Sequence, residues 1–320
     1  MKDYFGAEGR FLFFLEEQFA RIAEQFGYQP LRTPLVEQAE LFYKGVAEGD
    51  YVVQKEMYEF SDKGGRILAL RPESTPSVVR AMIEHHFFGN SIRKLRVYYF
   101  GPMFRYDRPQ KARYRLFHQV GVEAIGWKDP ELDVEIIHLF LEYLRVLDIH
   151  SYSLILNTLG CTRDLSRYRQ ELSDFLQKIR KEFPEKEQQK IDRNPLRLLD
   201  SKDPDTRAVL ENHTDLPKIF SFLCEDCQQH FQDVCRGLET LGWKYQVNPF
   251  LVRGLDYYTR TVFEVISAEL GAQDSLGGGG RYDNLFSLYT GGKLDIPCVG
   301  FAAGVERLLA LSTLQQKIQQ

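Results

Sequence analysis

The sequence predicts an α+β fold: an antiparallel β-sheet flanked by helices, with a mostly helical insertion. Three observations carry this reading. Strand-like runs come as hairpins: RILALR (66–71) follows the turn SDKGG, and RLFHQVGVEAIG (115–126) follows KLRVYYFGPMFRYD (94–107). Hairpins without regular strand–helix alternation imply antiparallel pairing, not a doubly wound sheet. Residues 163–240 instead carry charge and helical periodicity with no strong strand, as in LSRYRQELSDFLQKIRKEF. Strand character then returns at 244–268, so the helical stretch reads as an insertion.

Taken in order, RFLFFLEEQFARIAEQFG (10–27) has apolar residues at helical spacing and stops at Gly27. The following YQPLRTPLVE is extended, because Pro34 excludes a continuing helix. Residues 51–60 and 66–71 read as strands, and 75–88 as a helix opened by Thr75–Pro76, a capping hydroxyl before a first-turn proline. A long hairpin, a helix at 130–147 and a strand at 151–157 come next. LGGGG at 276–280 reads as a break, and CVGFAAGVERLLALSTL as a closing strand and helix. The expected division is 1–162 and 243–320 as two parts of one domain, with 163–242 as the helical insertion.

Forty-one basic and 45 acidic residues give a net charge of −4, which excludes a generally basic nucleic-acid binder. Any nucleic acid must meet a local patch. No run of 18 apolar residues indicates a membrane span, and the acids in MKDYFGAEGRFLFFLEEQ argue against a signal peptide. With five scattered cysteines, a cytoplasmic protein without membrane association is expected.

A local patch exists. Arg105, Arg108, Lys111, Arg113 and Arg115 fall within eleven residues. Such runs are usually solvated faces, but the planar guanidinium also suits phosphate oxygens. The adjoining strand places Phe117, Gln119, Gly121 and Glu123 on one face by its period of two. A ring, an amide, a gap and a carboxylate together look like a small-molecule pocket.

FRYDRPQKARYRLFHQVGVEAIG (104–126) closely resembles motif 2 of the histidyl-tRNA synthetases, a family of class II aminoacyl-tRNA synthetases. LRTPLVE resembles their motif 1, LALRPESTPSVVRA their histidine-binding segment, LVRGLDYYTRTVFEV and LGGGGRYDNL their two histidine-specific motifs, and VGFAAGVERLLAL their motif 3. The resemblance implies a class II synthetase-like sheet. It also implies a homodimer that joins histidine to ATP, with Mg2+, and then transfers it to tRNA(His).

Further roles follow from the same resemblance. Arg105 and Arg253 match residues at the α-phosphate and the reacting carboxylate, Arg113 and Arg307 the outer phosphates, and Phe117 the adenine stack. Glu73, Ser74, Thr75 and Gln119 match the amino-group side of the histidine site. Glu123 and Tyr258, with Tyr257 beside them, match the imidazole side. Strand alternation implies that only one of the two tyrosines meets the ring. Arg108, Gln110 and Lys111 match the loop that meets the tRNA acceptor end. Without the resemblance, Arg105 and Arg253 read equally well as structural ion pairs.

CEDCQQHFQDVC (224–235) has helical period and lacks a second ligand pair at finger spacing, so zinc is not expected. Cys161 and Cys298 read as small core residues, and His85–His86 as ordinary helix residues. GGGG is not a dinucleotide-binding turn, and no P-loop occurs. Ser74 and Ala112 stand where the family usually has glycine. Relatives also usually carry a C-terminal anticodon-binding domain, absent after Gln320. A core cut from a longer enzyme, a minimal form, or the non-charging regulatory subunit of ATP phosphoribosyltransferase would each account for that. The intact RPQKAR and Arg253 favour the synthetase.

Overall fold

The computed structural model describes residues 2–44, 56–88, 94–106, 113–253, 257–271 and 274–314. Its main sheet has eight strands. They are β1 (Gln29–Pro30), β5 (Leu95–Phe104), β6 (Leu116–Ile125), β11 (Cys298–Gly304), β10 (Ser275–Arg281), β9 (Thr259–Ile266), β7 (Ser153–Thr158) and β8 (Gln246–Val247), in that spatial order. The six central strands pair antiparallel, and a two-residue parallel strand closes each edge. β2 (Val36–Gln38), β4 (Ile67–Leu70) and β3 (Tyr58–Ser61) form a separate small antiparallel sheet.

The period-two pattern of β6 decides what covers each face. Val120, Val122 and Ala124 are fully buried against the helices Gly6–Gln25 and Glu131–Val146, with Phe11, Phe19, Ile137 and Phe140. Burying such side chains is worth about 1.5–3 kcal/mol each. The opposite face packs on the Thr75–Glu84 helix and on the Thr162–Lys178 helix through Val78, Val79, Tyr168 and Leu172. Residues 162–240 are helical as expected, without a strand among them. The last of these helices, Glu225–Thr240, returns to the first layer, where Gly237 allows Val134 to approach. Asp133 and Arg281, both fully buried, lock that junction: Arg281 donates to Asp133 at 2.8 Å, and His230 lies 3.3 Å from its other oxygen.

Several elements depart from the sequence reading. LGGGG is no break: Gly277–Gly280 form the middle of β10, in register with β9 on one side and β11 on the other. A Cβ on Gly279 would lie 1.9 Å from the Gly300 carbonyl, so glycine here permits close strand approach. The strand expected at 51–60 is seen as Tyr58–Ser61, with 51–55 outside the described residues. The stretch 244–268 splits into β8 and β9. The 75–88 helix ends at Glu84, and Thr75 does not cap it: Ser74 is the residue at the cap, with no side-chain capping bond. The N-terminal helix begins at Gly6, ahead of its periodic stretch. Among the described residues, no helix is long and apolar enough to cross a membrane.

Candidate active site

One polar cleft of about 210 Å³ opens on the sheet face away from the Glu131–Val146 helix. Register builds its floor. β5 sets Tyr99 opposite Gly121, and β11 sets Gly300 opposite Glu123. A Cβ on Gly121 would come 2.4 Å from the Tyr99 hydroxyl, and one on Gly300 would come 1.8 Å from Glu123 Oε2. The gap foreseen at Gly121 is therefore filled by Tyr99, and Gly300 makes room for the carboxylate.

The inner end of the cleft is acidic and phenolic. Glu123 is 1% exposed; it accepts from Thr75 at 2.7 Å, Tyr282 at 2.5 Å and Tyr99 at 3.3 Å. Burial outweighs these donors and raises its carboxyl to about 7. Glu73 accepts from Tyr257 at 2.9 Å and is likewise raised by burial, against the pull of Arg105. Gln119 lines the same cleft with a buried Oε1 that has no hydrogen-bond partner. A buried acceptor left this way is open to a donor entering the cleft, a ligand or water. Tyr257 and Tyr258 both line the cleft; they precede β9, so strand periodicity does not govern them.

The outer end is cationic. Arg105, Arg113, Arg253 and Arg307 line it together. Arg253 donates to Glu264 at 2.8 Å while its Nε is buried without a partner. It makes a structural ion pair, and its Nε remains a donor without a partner. Arg105 donates to the Pro72 carbonyl at 3.0 Å, and its guanidinium lies 5.3 Å from the Phe117 ring centroid. Arg307, held by the Ser275 carbonyl, has its pKa lowered by burial and by Arg113, Arg105 and Arg253. Such mutual repulsion favours binding a polyanion.

Among the described residues, Ser74 is the one expected site residue that falls outside the cleft lining. Its hydroxyl points to Met103 Sδ at 3.7 Å, and its φ of −100° needs no glycine. The substitution is thus absorbed in the core. Arg108, Gln110 and Lys111, with Ala112, lie outside the described residues.

Four contributors were not singled out from the sequence. Tyr282 sat inside the quoted LGGGGRYDNL, a signal that was present. Glu264 and Glu306 likewise sat inside the quoted LVRGLDYYTRTVFEV and VGFAAGVERLLAL, whereas Tyr99 depends on strand pairing. Glu306 accepts the His118 backbone N–H at 3.0 Å and the Tyr4 hydroxyl at 3.0 Å, which fixes the turn carrying Arg307.

An antiparallel sheet bearing an acidic pocket beside an arginine cluster is the architecture of a class II aminoacyl-tRNA synthetase catalytic domain. The structure of apo S. aureus histidyl-tRNA synthetase matches it at a TM-score of 0.77 and 31% identity, over 99% of this chain and 73% of that one. The family model "Histidyl-tRNA synthetase" matches residues 2–308, and the chain belongs to that family. A curated relative, histidine–tRNA ligase of Dictyoglomus thermophilum, is 44% identical over 319 residues, covering 100% of this chain and 75% of the relative. A Bacillus halodurans structure described as an ATP phosphoribosyltransferase regulatory subunit/histidyl-tRNA synthetase has a TM-score of 0.71 at 21% identity over 98% of this chain and 82% of that one, a likeness of fold.

Proposed function

We propose that this protein is a histidine–tRNA ligase, which activates histidine with ATP and passes it to tRNA(His). The observation that carries the reading is the cleft itself: an acidic, hydroxyl-lined end for an amino acid abuts four arginines for a nucleotide's phosphates. The curated relatives at about 45% identity carry the same name. The regulatory-subunit reading is weaker, since the structure whose description includes it stands at 21% identity.

Neutral imidazole has one donor and one acceptor nitrogen. The Glu123 carboxylate accepts from the first, and a tyrosine hydroxyl, Tyr258 foremost, donates to the second. Glu73 and the unpartnered Gln119 Oε1 take the ammonium, with Thr75 holding Glu123 in place. The histidine carboxylate then attacks the α-phosphorus. One O–P bond forms, the bond to the β-phosphate oxygen breaks, and pyrophosphate carries the electron pair away. No proton transfer is required, so catalysis rests on fixed positive charge. Arg253 and Arg105 serve the α-phosphate, Arg113 and Arg307 the outer phosphates, and Phe117 the adenine. If a magnesium ion accompanies ATP, Glu264, beside Arg253, would offer it a carboxylate oxygen, and the ion would offset charge on the phosphate oxygens. In the transfer step Arg108, Gln110 and Lys111 meet the acceptor end of the tRNA, as the motif resemblance implies.

The protein acts in the cytoplasm as a homodimer. Leu35, Val36, Phe60 and Ile67, on and beside the small sheet, are exposed apolar side chains that such an interface would cover. Arg253→Ala tests the mechanism: histidine-dependent adenylate formation falls roughly 10²–10³-fold, while the chain still folds with an unfolding midpoint lowered by the loss of Glu264's partner. Near-normal activity would remove Arg253 from the reaction.

A further inference from the structure

A second cluster lies at the neck of the helical insertion. Cys161, Asp164, Cys224 and Cys227 each bring one ligand-type atom to within 4.8 Å of all the others. Within CEDCQQHFQDVC, His230 and Cys235 are not part of it. The second pair comes instead from Cys161 and Asp164, at the other end of the insertion.

The two pairs are built alike. Cys161 stands at the N-cap of the Thr162–Lys178 helix and forms a capping box with Asp164 three residues on; Cys224 stands at the N-cap of the Glu225–Thr240 helix, without a side-chain capping bond, and Cys227 follows three residues on. Side chains at these two positions converge over a helix opening. The Cys161 backbone N–H donates to Cys227 Sγ at 3.1 Å, and the Cys224 N–H donates to Asp164 Oδ2 at 3.1 Å. Asp164 is fully buried, yet its Oδ1 accepts no hydrogen bond. That is costly for a carboxylate unless a cation answers it. Gly160 provides the space: a Cβ there would meet Asp164 Cβ at 2.7 Å.

We propose that these four residues bind a zinc ion, a structural site that clips the start of the helical insertion to its last helix. Three thiols and a carboxylate suit zinc and not magnesium or calcium. Zinc–sulfur bonds of about 2.3 Å imply ligand separations of about 3.8 Å, which small side-chain movements reach from the present spread. Arg163, 4.0 Å from Asp164 Oδ1, offsets part of the negative charge. Cys161 also lines an open surface cavity with Arg260, which gives the ion a path in. The site bears on the cleft as well. Leu159 and Gly160 exchange backbone hydrogen bonds with Arg260, two residues after Tyr258.

The test is to strip the reduced 320-residue chain with a chelator and titrate it with Co2+. One equivalent should give the intense visible bands and thiolate charge-transfer absorption of a tetrahedral sulfur site, displaced by Zn2+. Cys224→Ser and Cys227→Ser should lose stoichiometric binding, and Cys235→Ser should keep it. A weak, octahedral spectrum in the unmutated chain overturns the proposal, whether or not the variants fold. So does binding unchanged in both variants, or a disulfide among these cysteines that forms in preference to metal binding.

Discussion

Glu123 shows how a residue's chemistry is set by its neighbours. Three hydroxyls donate to it, but complete burial prevails and its carboxyl rises to about 7 from the ordinary 4.5. The folded chain therefore binds a proton more tightly than the unfolded one. The stability this contributes is complete below about pH 4.5 and is lost as the pH rises through 7. Glu123→Gln should flatten that decline. At pH 8 the free protein should gain roughly 3 kcal/mol, at about 1.4 kcal/mol per pKa unit, while histidine binding weakens about tenfold or more. Parallel pH–stability curves for the two proteins would remove Glu123 as the titrating group. At this scale the motifs told much: Glu73, Thr75, Gln119, Glu123 and the four arginines do converge. Tyr99 escaped notice because it reaches Glu123 only through the register of β5 on β6, which no local pattern encodes.

At the scale of elements, the glycines of β10 and β11 act as spacers. Local propensity marks four consecutive glycines as a breaker; in the sheet they let three strands close up beneath the cleft. The sequence reading failed there because it weighed the residues alone, whereas the deciding quantity is the distance to the neighbouring backbone. Gly300 is the sharpest case. Gly300→Ala would put a methyl group 1.8 Å from Glu123 Oε2 and 2.5 Å from the Val122 carbonyl. Overpacking of this kind costs about 1–3 kcal/mol. A fall of that size in urea unfolding, with loss of histidine binding and retention of ATP binding, is expected. A stable variant that still binds histidine would show that the carboxylate has room to move. The hairpins and insertion helices were legible because hydrophobic periodicity is itself the cause of their burial pattern, as Val120, Val122 and Ala124 show.

At the scale of the whole molecule, the sheet gathers segments from both ends of the chain into one cleft: β6 supplies the acidic floor and β10 and β11 its far wall. The homodimer is proposed from motif resemblance, and the exposed apolar residues on and beside the small sheet are the surface it would cover. Sedimentation at micromolar concentration should give a dimer, and Phe60→Glu with Ile67→Glu should give a monomer; a monomeric unmutated chain would refute the homodimer. The account as a whole rests on histidine activation in this cleft. Amino-acid-dependent exchange of pyrophosphate into ATP, measured on the 320-residue chain without tRNA, tests it most directly. Exchange with histidine and with no other amino acid is the predicted result; a folded, dimeric sample that exchanges with none, or that prefers another amino acid, would contradict it.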